Sequence, residues 1–453
     1  MPTRYNIEFF EHSGLKLYFP INMNLKDPIQ RISFGSNIIE TKCERQPNGR
    51  NIISISKGLA RKLQLPEFVR SIYLFENDDI LVIGPLVGIF SSGFTPYQIK
   101  PIGERSTIFE KLLSVQSSVG VVPFLFGEQH IDWDQGMIEG FFFTKDGWEK
   151  RKVPFPNVVY DRLPNRRSEK LKASKNVKEK LSQEYMIPWY NPGFFNKLDV
   201  YERLLQSDIA ENYLPETYPF SSFSQMEQLL SKYGHIYIKP MNGSLGLGVH
   251  QILYNREEQA YYCRYHDEAN HLMKFKSLEA LMKKVFGKKN LERMIVQQGI
   301  PLMRYNHLPV DFRVHVNKNK DGNWEVSAMA AKVAGNGSPT THVKNGGTIK
   351  TIEEVFDHPE ECKSCKEKLE KAALDLASII EEQMEGIIGE IGYDFGIDTK
   401  GNVWLFEANS KPGRSIFKHP HLKNSDILTR KLSLSFAVFL TEKAVKKPEE
   451  LFS

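Results

Sequence analysis

Near the C-terminus, two short apolar strands carry acids that a buried sheet cannot hold unaided. Tyr393-Asp-Phe-Gly-Ile-Asp reads as one strand, Thr-Lys-Gly-Asn as the turn, and Val403-Trp-Leu-Phe-Glu-Ala-Asn as the return. Glu407 and Asn409 alternate along the second strand and share one face, and Asp394 can face them from the first. Leu405, Phe406 and Ala408 argue against a solvated strand. Carboxylates buried together raise each other's pKa and cost free energy unless a cation accompanies them. Two carboxylates and an amide oxygen are hard ligands of the kind Mg²⁺ takes together with the phosphate oxygens of a substrate. The pattern predicts a hairpin with a divalent-cation site at Asp394, Glu407 and Asn409.

A second stretch suits a polyanion. In Ile236-Tyr-Ile-Lys-Pro-Met-Asn-Gly-Ser-Leu-Gly-Leu-Gly-Val249, residues 236–239 read as a strand that turns at Pro240. Gly243, Gly246 and Gly248, with Ser244 among them, let backbone N–H groups approach an anion without Cβ clashes. Lys239 can set an ammonium over the same anion. Taken alone, the stretch also fits a plain glycine-rich hairpin. Upstream, Phe194-Phe-Asn-Lys-Leu-Asp-Val-Tyr-Glu-Arg-Leu-Leu opens a helix with Lys197 in its first turn. The helix dipole disfavours a cation there unless an anion lies at that end.

Between these stretches, Met294-Ile-Val-Gln-Gln-Gly-Ile300 is a strand running into a break. Asp311-Phe-Arg-Val-His-Val alternates, so Asp311, Arg313 and His315 share a face. Trp324 to Val333 is the next strand, with Lys332 near its end, followed by a Gly- and Asn-rich loop from Ala334 to Thr348. Long helices are predicted over Cys365 to Ile388 and Ile427 to Ala444. A single helix fits Ser106 to Val119, and residues 255–292 read as polar with one helix, Ser277 to Phe286.

A chain of 453 residues implies two to four domains. Residues 1–100 look β-rich, a small barrel or sandwich with one helix from Lys57 to Leu65. Residues 101–182 look like a small α/β layer followed by a basic connector, and 183–453 divide near residue 300. The net charge of +5, from 60 basic and 55 acidic residues, is too small over this length to argue for nucleic acid or an anionic membrane. The basic run at 164–182 fits a solvated connector or exposed helix better than a nucleic-acid groove. No signal peptide and no membrane-length apolar run is visible. Four scattered cysteines, with only Cys362 and Cys365 paired in spacing, read as ordinary thiols of a reducing compartment.

In this order the features resemble the ATP-grasp superfamily over about residues 183–445: a lysine at a helix start, strand-Lys with glycines, a hinge, Asp-x-Arg, a Gly-rich loop and Asp…Glu-x-Asn. The most specific part is Gly392-Tyr-Asp with Glu407-Ala-Asn-Ser-Lys-Pro-Gly413. Leu214-Pro-Glu-Thr, Tyr237-Ile-Lys-Pro with Gly243-Ser, Val296-Gln-Gln-Gly-Ile and Asp311-Phe-Arg-Val are similar to the YheC/YheD group of that superfamily. The resemblance implies a multidomain α/β protein, an α+β ATP-grasp fold preceded by a small β-rich domain and a small α/β layer. It also implies ATP and Mg²⁺ as ligands, with Lys197 and Lys239 on the phosphates and the Ser244, Gly246 and Gly248 loop closing over them. Gln297, Gln298, Gly299 and Ile300 would contact adenine, and Arg313 and Lys332 would serve the transferred phosphate. Asp394, Glu407 and Asn409 would hold metal, and Ser410 to Arg414 would line the acceptor side. No acid follows the hinge before Asp311, so Asn306 is the substitute for the usual ribose-binding acid, or that contact is weaker.

Two functions follow. One is an ATP-dependent carboxylate–amine or –thiol ligase working through an acylphosphate, with an acceptor the sequence does not name. The other is a non-catalytic, or only nucleotide-binding, component of the endospore coat. By resemblance the protein is cytoplasmic, in mother cell or forespore, and meets spore-coat proteins.

Overall fold

The computed structural model describes residues 2–25, 28–241, 247–287 and 290–452. Ser244 and Gly246 lie outside the described residues.

The first eight strands, between Arg4 and Gly84, form one mixed sheet. Its two outermost strands, Asn37–Glu40 and Lys42–Arg45, are consecutive in the chain with only Thr41 between them. One residue cannot span a flat eight-stranded sheet, so the sheet curls until its edges meet, and the result is a barrel. Thr41 fastens the seam: its N–H donates to the Gln30 carbonyl on one side (3.0 Å) and its Oγ1 to the Leu15 carbonyl on the other (2.8 Å). Ile32, Ile53, Ile55, Leu59 and Leu63 fill the interior with no exposed surface. The Lys57–Leu63 helix is capped by Ser56 Oγ and stops at Gln64, which adopts a left-handed φ of 61° before Pro66.

A second sheet begins at Leu86. Leu86–Phe90, Val122–Phe126, Val158–Asp161 and Trp189–Tyr190 run parallel, with an antiparallel flank at Met137–Thr144 and Gly147–Pro154. The single helix expected over 106–119 is two, Ser106–Leu113 and Gln116–Val119, the second ending at Gly120 with φ 85°. The basic run carries two short helices, Arg166–Glu169 and Lys172–Glu179, and buries only Ser174, Val177 and Leu181 over 166–184. It is a largely solvated connector.

The remaining two sheets face one another across the site. One runs Thr217–Pro219, Met294–Gln298, His235–Pro240, His250–Asn255, Ala260–His266, Asn270–Phe275, all antiparallel. The last two strands are absent from the sequence expectation for 255–292. Asn270–Phe275 alternates exposed and half-buried residues at the sheet edge, so it lacks the apolar signal of a buried strand. Residues 278–286 form a four-residue helix, Leu278–Leu281, and a wider turn, Met282–Phe286, rather than one regular helix. The other sheet orders Thr348–Lys350, Trp324–Val333, Leu308–Lys318, Glu390–Ile397, Val403–Asn409. Helix Pro359–Gln383 covers one face, starting six residues earlier than its apolar repeat indicates because Pro359 opens a solvated first turn. Cys362 and Cys365 lie on its buried side.

Helix Lys423–Lys446 joins this last sheet to the second layer. Leu434, Phe436, Ala437 and Val438 pack with Tyr160 and Tyr190, and the Tyr190 hydroxyl donates to the Ser433 carbonyl (2.7 Å). Asn191, with a left-handed φ of 55°, donates through Nδ2 to the carbonyls of Glu390 and Ser410 and accepts at Oδ1 from Gly389 N–H. Among the described residues no helix is long and apolar enough to cross a membrane.

Candidate functional site

Strand register brings the predicted residues onto one face. Arg313 lies opposite Asp394, Asp394 opposite Glu407, Gly392 opposite Asn409, and Asp311 opposite Lys332. A register shift after Asp394 lets the two strands pair across an uneven number of residues while Asp394 and Glu407 stay paired.

Each carboxylate has a cation. Asp394 accepts from Arg313 Nη2 (2.9 Å) and Lys332 Nζ (2.7 Å), and Lys332 also reaches Asp311 Oδ1 (2.9 Å). Glu407 Oε2 lies 3.3 Å from Lys197 Nζ. Burial by itself would raise the pKa of Asp394, but Arg313 and Lys332 outweigh it and bring the carboxyl down to about 2. Asp311 shares only Lys332, so burial and the neighbouring Asp394 charge hold its pKa above the ordinary value. Thr341 Oγ1 donates to its other oxygen. His315, two residues along the same face, is fully buried, and neither ring nitrogen has a partner.

Across the cleft, Lys239 donates to Gln297 Oε1 (2.8 Å) and to the Phe406 carbonyl (3.4 Å). Burial, reinforced by the Lys197 ammonium, lowers its pKa to about 7. Lys197 is the first residue of helix Lys197–Leu204, whose cap Asn196 accepts from Leu198 N–H. The expected conflict with the helix dipole is met by Glu407. Lys197, Lys239, Gln297, Phe406 and Glu407 line one narrow cleft between the two sheets.

The hinge is more engaged than its sequence indicates. Gln297 Nε2 donates to Thr217 Oγ1 (2.8 Å) while its oxygen takes Lys239. Gln298 Oε1 accepts from Glu216 N–H (3.0 Å), and Gln298 N–H donates to the Glu216 carbonyl (2.8 Å). Gly299 N–H donates to the His235 carbonyl (3.1 Å), and Ile300 is buried. Both side-chain amides thus hold the hinge together. A Cβ on Gly299 would stand 2.0 Å from the His235 ring. Gly299→Ala is expected to destabilise the chain by about 1–3 kcal/mol, read by urea unfolding; an unchanged midpoint would mean the ring simply moves aside. Asn306 occupies the exposed turn of the hairpin joining Arg304–Tyr305 to Leu308–Lys318, with φ 49°, a conformational role.

The donor set suits Mg²⁺. Two facing carboxylates and the Asn409 side chain, whose Nδ2 faces the Gly392 carbonyl (3.5 Å) and whose oxygen is left over, supply hard oxygens and leave room for phosphate oxygens. Among the described residues no group of three or more His, Cys, Asp or Glu is placed to hold a metal, so the fit is to a metal completed by a ligand and not to a closed protein cage.

Sequence reasoning missed the frame behind Ser410 to Arg414. Lys411 Nζ is 2.6 Å from Asp161 Oδ1, with both side chains almost fully buried. Ser410 Oγ donates to the Gly193 carbonyl. Asp161 and Gly193 lie far from residue 410 in the chain, and no local pattern announces the contact.

A family model described as YheC/D-like ATP-grasp matches residues 186–440. The chain is 39% identical over 453 residues to "Endospore coat-associated protein YheD" of Bacillus subtilis (strain 168), covering 100% of this chain and 99% of that one. It is 24% identical over 274 residues to "Endospore coat-associated protein YheC" of the same strain, covering 59% of this chain and 73% of that one. Among solved structures, a D-alanine–D-alanine ligase from Bacillus anthracis aligns with 80% of this chain and 99% of its own at 11% identity and a TM-score of 0.45, a likeness too low to speak to substrate.

Proposed function

The chain belongs to the YheC/D-like ATP-grasp family, and from that premise we propose that it is an ATP- and Mg²⁺-dependent ligase of the endospore coat, joining a carboxylate to an amine or thiol. The observation that carries this reading is the pairing within the cleft. Lys197, Lys239, Arg313 and Lys332 surround Asp311, Asp394 and Glu407. Nucleotide binding would then be an exchange of partners: Asp394 and Glu407, with Asn409, would hold the metal, and Lys197, Arg313 and Lys332, released from those carboxylates, would meet phosphate. Bound Mg²⁺ supplies charge neutralisation between the phosphate oxygens.

Lys197 and Lys239 hold the phosphates, and the loop with Ser244, Gly246 and Gly248 covers them. The hinge Gln297, Gln298, Gly299 and Ile300 borders the base. Arg313 meets the charge that grows on the transferred phosphoryl group. Lys332 supplies charge beside it without a planar fork. A substrate carboxylate oxygen attacks the γ-phosphorus and ADP leaves. The acceptor nitrogen or sulfur then attacks the acyl carbon, the bond to the phosphate oxygen breaks, and inorganic phosphate and one proton depart. Residues 183–453 form the nucleotide-binding part, after the β-rich sheet that ends at Gly84 and the α/β layer that begins at Leu86, so the expected boundary at residue 100 moves to about 85.

The test is phosphate release by the full chain with Mg·ATP and pooled amino acids or peptidoglycan precursors. Acceptor-dependent ADP formation is expected. Nucleotide binding without any acceptor-dependent turnover would favour a structural coat component, a reading that the self-engaged hinge amides and the missing ribose acid support.

Lys239 gives a further expectation. With a pKa of about 7 it is roughly nine-tenths neutral at about pH 8, and a phosphate beside it restores the ordinary, higher value. ATP binding at about pH 8 should take up close to one proton per nucleotide, and much less at about pH 6, where the ammonium is already charged. Calorimetry in buffers of different ionisation enthalpy reads the difference, and Lys239→Met should abolish it. Uptake that persists in that variant would assign the proton elsewhere.

A further inference from the structure

A cavity of about 570 Å³ opens between the second sheet and the basic connector, and none of its lining residues lines the nucleotide cleft. That volume falls in the range of about 300–1,000 Å³ typical of small-molecule sites. Glu128 enters it from the turn after strand Val122–Phe126, and Trp133 from just beyond the two-residue strand Ile131–Asp132. From the connector, Glu179 ends helix Lys172–Glu179, and Lys180 and Glu184 bound the wider turn that follows. Three carboxylates thus share the cavity with one ammonium. Among the described residues none of the three makes an ion pair, and neither does Lys180. The Lys180 ammonium lies instead over the Trp133 ring, 4.5 Å from its centroid, and Phe155 (5.6 Å) and Tyr185 (6.1 Å) brace that ring.

Two shielded oxygens here accept or donate nothing. Glu128 Oε2 is buried without a hydrogen bond, and so is the Oγ of Ser174, a residue only 2% exposed. Ser174 stands one turn before Val177 on the buried face of its helix, and Val177 lines the cavity. Buried polar atoms left unmade cost free energy, and such atoms beside an open cavity mark where a ligand can complete them. The acids do not converge on one point. Among the described residues no group of three or more His, Cys, Asp or Glu is placed to hold a metal, so one divalent ion does not serve all three. Carboxylates spread around an aromatic face suit cations spread along an apolar stem. We propose that this cavity binds a linear polyamine, two or three ammonium groups joined by methylenes. Trp133 takes one ammonium, in the place Lys180 now fills, and Glu128, Glu179 and Glu184 take the others. Because Glu128 stands beside the sheet and Glu179 and Glu184 on the connector, the occupant ties the two together and stabilises the chain by mass action. None of this depends on the ligase reading.

Titration calorimetry of the full chain without nucleotide, at fixed ionic strength, tests it with spermidine, MgCl₂ and a trilysine peptide as probes. Spermidine is expected to saturate at one per chain, to bind at least tenfold more tightly than Mg²⁺, and to raise the melting temperature. Glu179→Gln with Glu184→Gln, both exposed in the parent, should weaken spermidine at least tenfold and leave the melting temperature of the free chain unchanged. Trp133→Leu should weaken it about fivefold or more, with thermal unfolding as the check on its fold. Lys180→Met, which clears the ring of its internal cation, should tighten binding. Glu360→Gln with Glu361→Gln, an exposed acid pair in the first turn of helix Pro359–Gln383, should change nothing. Binding that does not saturate, that Mg²⁺ matches, or that the Glu360 and Glu361 pair weakens equally would overturn the site as unspecific charge attraction. Trilysine binding more tightly than spermidine would overturn the polyamine in favour of lysine side chains of another protein.

Discussion

Glu407→Gln should abolish acceptor-dependent ATP turnover, with a loss of at least 10²–10³-fold by the scale of removing one charge-stabilising contact. The substitution keeps the size and one oxygen but removes the charge that pairs with Lys197 and that, on the ligase reading, would hold the metal. Glu407 is 26% exposed at its side chain and its pair with Lys197 is 3.3 Å long, so the cost in stability should be about 1 kcal/mol or less. The expected signature is a large loss of rate with little change in melting temperature. Turnover at the parent rate would remove Glu407 from the metal set, and with it the pairing with Asp394 on which that set depends.

Asp161→Asn should produce the largest loss of stability, about 3–5 kcal/mol. Asp161 accepts from Lys411 Nζ, from Trp189 Nε1 (3.1 Å) and from Leu163 N–H (3.0 Å), and the two charged side chains are 1% and 2% exposed. Burial already lowers the Lys411 pKa, and without the Asp161 carboxylate the ammonium is left with the Glu169 carboxylate, which makes no hydrogen bond to it, and the Phe194 ring 4.8 Å away. The neutral pair Asp161→Asn with Lys411→Met should recover much of the loss, because the charge is removed together with its partner. Calorimetry of the full chain reads both. Equal melting temperatures for parent and Asp161→Asn would show that water reaches Lys411. Lys411 precedes Pro412, which covers Gly392 beside Arg313, so the single variant should also slow turnover.

Much of the cleft's arrangement was legible because its charged residues repeat at strand spacing within apolar runs. Glu407 and Asn409 alternate, Asp311 and Arg313 alternate, and Lys239 ends a strand before a proline. The hairpin of Asp394 and Glu407 needed only that alternation and the turn between. Two things were hidden. The strands Ala260–His266 and Asn270–Phe275 are half exposed, so their composition does not separate them from loop. The frame around Ser410 to Arg414 joins residues 161, 191, 390, 411 and 414, which only the assembled layers bring together. His315 was read onto the correct face, but its lack of partners is a property of packing, which alternation does not encode.

The barrel seam at Thr41 bears on how this chain can live among other proteins at high density. An eight-stranded sheet left flat would present two long rows of unsatisfied backbone groups to passing chains. Here each terminal strand is only four residues long and the two meet end to end, so a foreign segment finds almost nothing to extend. Association through this domain must therefore use side chains, which can be selective, and not backbone zippering, which is not.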